Sequence, residues 1–200
     1  MKYKRIGAYL IDYFFISVLV IMFSQIKVIN PYYDKYLDNY EVYQDVMDNT
    51  NVDNVSDIYK NQDYLISYQN VIKYGSFVSV MSMICYLLYF VGFQKWNKDQ
   101  SLGKKIFGLK VVDKEEKSPS IYRYVLRTIF LYNLFVTIII IVLAFILSSK
   151  VFLISSIAIN IIGYMFLYSN FLVFIFRKDS RAIHDIIAGT KVVEVENGNR

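Results

Sequence analysis

Asp12 stands inside an apolar run, and an ionised Asp at the centre of a spanning helix costs about 2.5–3.5 kcal/mol. A partner or a wet cavity is therefore expected beside it. Arg5 lies two helical turns earlier on the same face, and Ala8 between them lets a neighbour approach closely. Arg123 and Arg127, at the start of a later apolar run, are the other candidate partners. Two readings of this ion or proton site stand. In one, Asp12 binds and releases a proton or cation during transport. In the other it is an ion-paired staple between helices, costly to break for structural reasons alone. Other chemistry is sparse. A single cysteine, Cys85, and a single histidine, His184, leave no disulfide framework and no Cys- or His-rich metal site within one chain. His184-Asp185 has no accompanying nucleophile, so hydrogen bonds between tail and loop are preferred to catalysis. No catalytic residue, metal, cofactor or enzymatic activity is expected.

The elements that must hold these residues are apolar. Of 200 residues, 56% are hydrophobic and 18% aromatic, mean hydropathy is +0.35, and the 20% that are charged are segregated from the apolar runs. An ordinary soluble domain and a disordered chain are both poor fits. Four stretches, 6–30, 72–93, 125–147 and 151–176, approach or exceed the ~20 residues that cross a bilayer. The third and fourth are parted only by Ser148-Ser149-Lys150, which implies a tight helical hairpin. The first is read as a retained span, because Asp12 interrupts it and no small-residue cleavage site follows. Seventeen of the 22 Lys and Arg residues fall in the first residues, in a loop over 94–124 and its margin, and in a tail over 177–200. That bias places both termini and the loop in the cytoplasm of a cell-membrane protein. The net charge of +5 thus speaks for anionic inner-leaflet lipids rather than nucleic acid. The expected fold is all-α membrane: four transmembrane helices in a single domain over 1–200, with an acidic helical outer segment over 31–71. In that segment Tyr36, Tyr40, Tyr43 and Met47 have helical spacing, residues 48–51 read as a turn, and a second short helix is expected over about 56–70. An acidic outer cap that gathers cations and a solvated hairpin resting its tyrosines on the spans are the two readings, the second preferred.

Polar stripes accompany the spans. Gly75, Ser79, Ser82 and Tyr86 share a face of the second; Asn160, Gly163, Leu167 and Asn170 share one of the fourth; Asn133 lies in the third. Such residues serve helix packing, and Ser79, Ser82, Tyr86, Asn133, Asn160 and Asn170 are also candidates to line a path. The loop carries Ser101, Gly103, Lys104 and Gly108, which fail the Walker A spacing. Leu102, Ile106 and Leu109 instead suit a short basic amphipathic helix on the inner leaflet, with Lys104 and Lys105 off its apolar face. Residues 108–113 resemble 189–194: each is a glycine, Gly108 or Gly189, followed by a β-favouring run. The two runs are expected to pair as a small cytoplasmic two-strand element. Ser118 or Ser120 is expected to cap the next helix, with Pro119 in its first turn.

In order along the chain, Arg5 and Asp12, the run from Gln100 to Val111, and the ending from Asp185 to Val193 resemble the RDD family of small bacterial membrane proteins. That family is named for one arginine and two aspartates. Arg5 and Asp12 match the first two; no aspartate falls within the second to fourth spans, and Asp185 is the best match to the last. The resemblance implies transport of ions or small solutes, with sodium–proton exchange in some members. From the residues, the alternative is a membrane scaffold or accessory subunit that binds another membrane protein. Four spans make a thin pathway, so a homo-oligomer fits the transport reading.

Overall fold

A computed structural model describes residues 1–49 and 59–195. In chain order it contains α1 (Lys2–Ser24), α2 (Tyr33–Asn49), α3 (Gln62–Leu87), α4 (Leu102–Ile106), β1 (Leu109–Asp113), α5 (Ile121–Leu131), α6 (Leu134–Ile146), α7 (Ser149–Phe176), α8 (Ile183–Ala188) and β2 (Thr190–Glu194). Helix α3 runs on through a π-helical stretch, Leu88–Phe93, and a last turn, Gln94–Trp96. Among the described residues, three helices are long and apolar enough to cross a membrane: α1, Gln62–Trp96 and α7. A fourth span results if α5 and α6 count as one.

The boundaries depart from the periodicity in instructive ways. The first span ends at Ser24 rather than at residue 30, where the Asn30 side-chain amide donates to the Ser24 carbonyl at 3.1 Å and the chain enters turns. Of the short outer helix expected over about 56–70, residues 62–70 form one continuous helix with the span expected over 72–93, because no breaker separates them, and residues 56–58 lie outside the described ones. Asn61 caps it, its side-chain oxygen accepting the Tyr64 N–H at 3.0 Å. The third span is broken. Asn133, with φ of 54°, takes the left-handed conformation that asparagine tolerates, and separates α5 from α6. Pro119 precedes the N-cap Ser120 instead of entering the first turn of α5, and Ser120 caps without a side-chain bond. Of the turn expected over 48–51, Asp48 and Asn49 belong to α2 and the other two positions lie outside the described residues.

By contacts the chain divides into two compact units, the first Met1–Val20, Ser82–Leu134 and Tyr164–Arg200, the second Ile21–Met81 and Phe135–Gly163. In the second, Tyr43 of α2 packs on Tyr64 and Tyr68 of α3, ring centres 5.7 and 6.2 Å apart. The tight α6–α7 turn is held by the buried Gln69. Its amide nitrogen donates to the Ala144 and Leu147 carbonyls at 2.7 and 2.8 Å, and its oxygen accepts from the Ser149 hydroxyl at 2.6 Å. Those carbonyls are unpartnered within α6, so one side chain satisfies the helix end and fixes the hairpin.

In the first unit, β1 and β2 pair antiparallel, with Leu109 opposite Glu194, Val111 opposite Val192 and Asp113 opposite Thr190. Both strands are entered alike. Gly108 after α4 and Gly189 after α8 have φ of 64° and 65°, the left-handed exit that glycine adopts without strain. Leu109 and Val111 pack with Val192, Ala8, Val91 and Tyr124 in one apolar cluster. This answers the marginal stability of a lone hairpin-like pair, since the strands rest on the helices. The basic helix expected to run on through Leu109 stops at Ile106, and its middle is buried rather than laid on a lipid surface. Close approach explains why. A Cβ on Gly103 would sit 2.1 Å from the Ala8 carbonyl oxygen of α1, a backbone atom that cannot move aside. Gly103→Ala is therefore expected to cost about 1–3 kcal/mol through overpacking, read as a lower melting temperature of the purified protein in detergent. Gly92→Ala, whose Cβ would meet nothing within 4 Å, is the control that keeps the wild-type value.

Candidate functional site

Asp12 sits mid-way along α1 and is 1% exposed. Three donors from two later segments close on it. Its Oδ1 accepts the Tyr89 hydroxyl and the Gly103 backbone N–H, both at 2.7 Å; its Oδ2 accepts the Ser101 hydroxyl at 2.5 Å. Tyr89 is presented by the π-helical stretch, and its oxygen in turn accepts the Leu102 N–H at 2.9 Å. The carboxylate and the Tyr89 oxygen thus take up one free N–H each in the first turn of α4, those of Gly103 and Leu102. Lys104 Nζ stands 3.8 Å from Asp12 Oδ2 and donates to Ser101 Oγ at 3.0 Å and to Gln94 Oε1 at 3.2 Å. The partner of Asp12 is therefore Lys104, and neither Arg5, Arg123 nor Arg127 pairs with it.

The reason is reach. Seven residues of helix advance about 10 Å, so Arg5 shares a face with Asp12 without touching it. Arg5 meets Asp185 instead. Its guanidinium donates to Asp185 Oδ2 at 2.6 Å and to the Ser180 carbonyl, and lies 4.9 Å from the centre of the Phe174 ring. Arg127 Nε is 3.1 Å from Asp185 Oδ1. Asp185 is 0% exposed and also accepts the Ala182 N–H at 3.2 Å, closing the first turn of α8. Arg123 lies elsewhere, donating to the Gly189 carbonyl at 2.9 Å and standing 3.7 Å from Asp113. His184 hydrogen-bonds Asn170 through both its backbone N–H, at 3.1 Å, and Nδ1, at 3.0 Å, and its Nε2 is 3.4 Å from Asp185 Oδ1.

These groups surround a cavity of about 440 Å³. Arg5, Asp12, Lys104, Arg127, Asn170 and His184 supply its polar wall; Ile6, Leu10, Leu131, Leu167, Phe171 and Phe174 are among its apolar residues. Of the polar residues expected on a path, Asn170 alone lines it. Ser79 and Asn160 hydrogen-bond to carbonyls of their own helices, at 3.5 and 2.9 Å. Tyr86 stacks on Tyr132 with ring centres 4.2 Å apart, Ser82 lies on α3, and Asn133 occupies the break after α5. Sequence reasoning missed Tyr89, Gln94 and the pairing of Lys104. The one signal for the last was Gly103, which marks where backbone comes close to backbone. Among the described residues no group of three His, Cys, Asp or Glu side chains is placed to hold a metal ion.

The chain matches the RDD family over residues 3–189, nearly its whole length, and that span encloses every polar and charged residue of this site. The chain belongs to the RDD family. It is a multi-pass membrane protein. No curated protein and no solved structure matches it. In RDD-family terms, Arg5 and Asp12 form no pair here: each meets its opposite charge in a segment remote in sequence, Asp185 and Lys104 respectively.

The electrostatics outside the spans follow from burial and neighbours. Burial pushes the Lys104 ammonium down to about 7, Arg127 and Arg5 add to the fall, and Asp12 and Asp185 oppose it. Burial likewise pushes His184 down to about 3, so the ring is neutral at pH 7. Burial works to raise Asp185, but His184, Arg127 and Arg5 overcome it and hold the carboxyl well below the usual carboxylate range. Removing that charge strands two largely buried guanidiniums. Asp185→Asn is expected to cost about 3–5 kcal/mol, measured by denaturant unfolding in micelles, whereas Glu194→Gln at the exposed Lys4 pair leaves stability nearly unchanged. Lys104 carries a pH signature of its own. Unfolded, it keeps its proton to about 10.4; folded, it releases it near 7. Its contribution to stability therefore rises with pH from about 7 to about 10, and the penalty is complete below 7. A melting-temperature series over that range is expected to rise less steeply in Lys104→Met than in wild type.

Proposed function

We propose that this RDD-family protein moves an ion or small solute across the cell membrane, with the cavity beside Asp12 and Lys104 as its binding site. The observation that carries the reading is the conjunction of a hollow of about 440 Å³ with ionisable side chains on its wall. Ionisable groups at membrane depth are costly and mark ion paths or proton relays by default. A lysine held near its neutral point gives that wall a group able to change charge at working pH. On this reading Lys104 and Asp12 form the element coupled to protons or sodium, and Asp185, locked between Arg5 and Arg127, is the counterpart of the family's second aspartate. The Lys and Arg bias supports cytoplasmic termini and contact of the exposed basic residues with anionic inner-leaflet lipids. A homo-oligomer would widen the thin pathway of a single chain. No enzymatic step enters this reading.

One observation favours the scaffold or accessory-subunit reading. Asp12 accepts three hydrogen bonds and so staples α1 to residues 89–103 whether or not anything is transported. Purified protein in liposomes separates the two. Wild type is expected to dissipate an imposed pH or sodium gradient faster than protein-free vesicles. Asp12→Asn, inserted and folded, is expected to slow this by about tenfold or more, the equivalent of ~1.4 kcal/mol in barrier. Full transport by Asp12→Asn removes the protonation role, and wild-type vesicles no leakier than empty ones overturn transport.

A further inference from the structure

The charges on the cavity wall do not cancel. Arg5, Lys104 and Arg127 face it, whereas Asp12 is the single carboxylate among its lining residues. Asp12 already receives three hydrogen bonds, and Asp185 lies outside the lining, spent on the two arginines. With Lys104 protonated, three cations oppose two carboxylates within one largely buried cluster even when Asp185 is counted; with Lys104 neutral, Asp12 is still the one carboxylate that shares the cavity wall with Arg5 and Arg127. An uncompensated charge in such surroundings is costly unless paired.

Arg127 shows where pairing is lacking. It is 6% exposed, its Nε stands 3.1 Å from Asp185 Oδ1, and that nitrogen lies outside hydrogen-bond geometry. Among the described residues its two terminal nitrogens make no hydrogen bond. Arg5, by contrast, spends both of its own on Asp185 and Ser180. A planar fork with free donors, inside a hollow, is the group that recognises a carboxylate or phosphate oxygen pair.

The rest of the wall is apolar, and it reaches the faces of two spans. Leu10 of α1 and Phe171 of α7 line the cavity yet are 58% and 54% exposed, so they form its rim. Ile6, Leu167 and Phe174 belong to the same apolar wall, and Arg127 lines the same cavity. The volume lies within the range of pockets that enclose drug-sized ligands.

We propose that this cavity binds a single-chain amphiphile with an anionic oxygen head group, carboxylate or phosphate, with Arg127 as the head-group ligand. The inference rests on the cavity of the transport reading but requires binding alone, so it survives or fails apart from translocation.

The test uses the full chain in nanodiscs of phosphatidylcholine, with dodecyl phosphate as probe and thermal stabilisation and native mass spectrometry as readouts. Dodecyl phosphate is expected to bind saturably and raise the melting temperature. Inorganic phosphate, dodecanol and dodecyltrimethylammonium are expected to do neither. Arg127→Gln is expected to weaken binding about tenfold or more, the worth of a charge-assisted hydrogen bond. Leu167→Trp, which fills the hollow and leaves every charge in place, is expected to abolish it and decides the matter should Arg127→Gln fail to fold. Equal binding of dodecanol overturns anion recognition. Unchanged affinity in either folded variant overturns the site. Displacement of the probe by phosphatidylglycerol at equal mole fraction overturns the single-chain assignment. Binding with no transport in liposomes leaves this inference standing and defeats only the preceding one.

Discussion

A carboxylate buried half-way along an apolar helix constrains everything around it. Asp12 cannot stay in α1 without donors, and α1 has none to offer, because its own N–H groups are committed to the helix. The donors come from Tyr89 on a π-helical stretch and from the first turn of α4. That turn reaches Asp12 only because position 103 has no side chain, so the Ala8 carbonyl and the α4 backbone can meet. One buried charge thus dictates the glycine, the serine and the lysine of the loop, each for a separate reason.

The second carboxylate works through different geometry. Asp185 closes the first turn of its own short helix and is gripped by Arg5 from α1 and Arg127 from α5. Tail, first span and third apolar run are joined at one point. The paired strands extend the same junction: each follows a short helix and a left-handed glycine, and together they cover Ala8 and Tyr124 with Leu109, Val111 and Val192. A junction tied by ions and hydrogen bonds around a hollow differs from a packed core, where any void forfeits contacts. Here the wall is mostly apolar, and its few charged groups are held by partners, Asp12 by Tyr89, Ser101 and Gly103 and Arg5 by Asp185 and Ser180.

The legible parts of this protein were those written in local pattern. Apolar length announced the spans, the repeated glycine-and-valine runs announced the strand pair, and the α6–α7 hairpin followed from the length a bilayer permits. The misread parts share a cause. Helix ends at Ser24 and Asn133 depend on side-chain and backbone bonds that hydropathy does not register. Gln69, which holds the α6–α7 turn, falls near the end of the short outer helix expected over about 56–70, where nothing in its spacing singles it out. Lys104 and Lys105 are neighbours of one type; the first is buried against Asp12 and the second is exposed.

The sequence by itself determined that the chain is helical, apolar enough to span a membrane several times, and obliged to shelter Asp12. Those properties come from composition and period, which act over a few helical turns. The choice of partner was decided only by tertiary structure. Arg5 shares a helix face with Asp12 but lies about 10 Å away along it, while Lys104 and Asp185, far off in sequence, are brought within a few ångströms by folding. Charge pairing depends on distance in space, and nothing in local spacing encodes which remote segment will arrive.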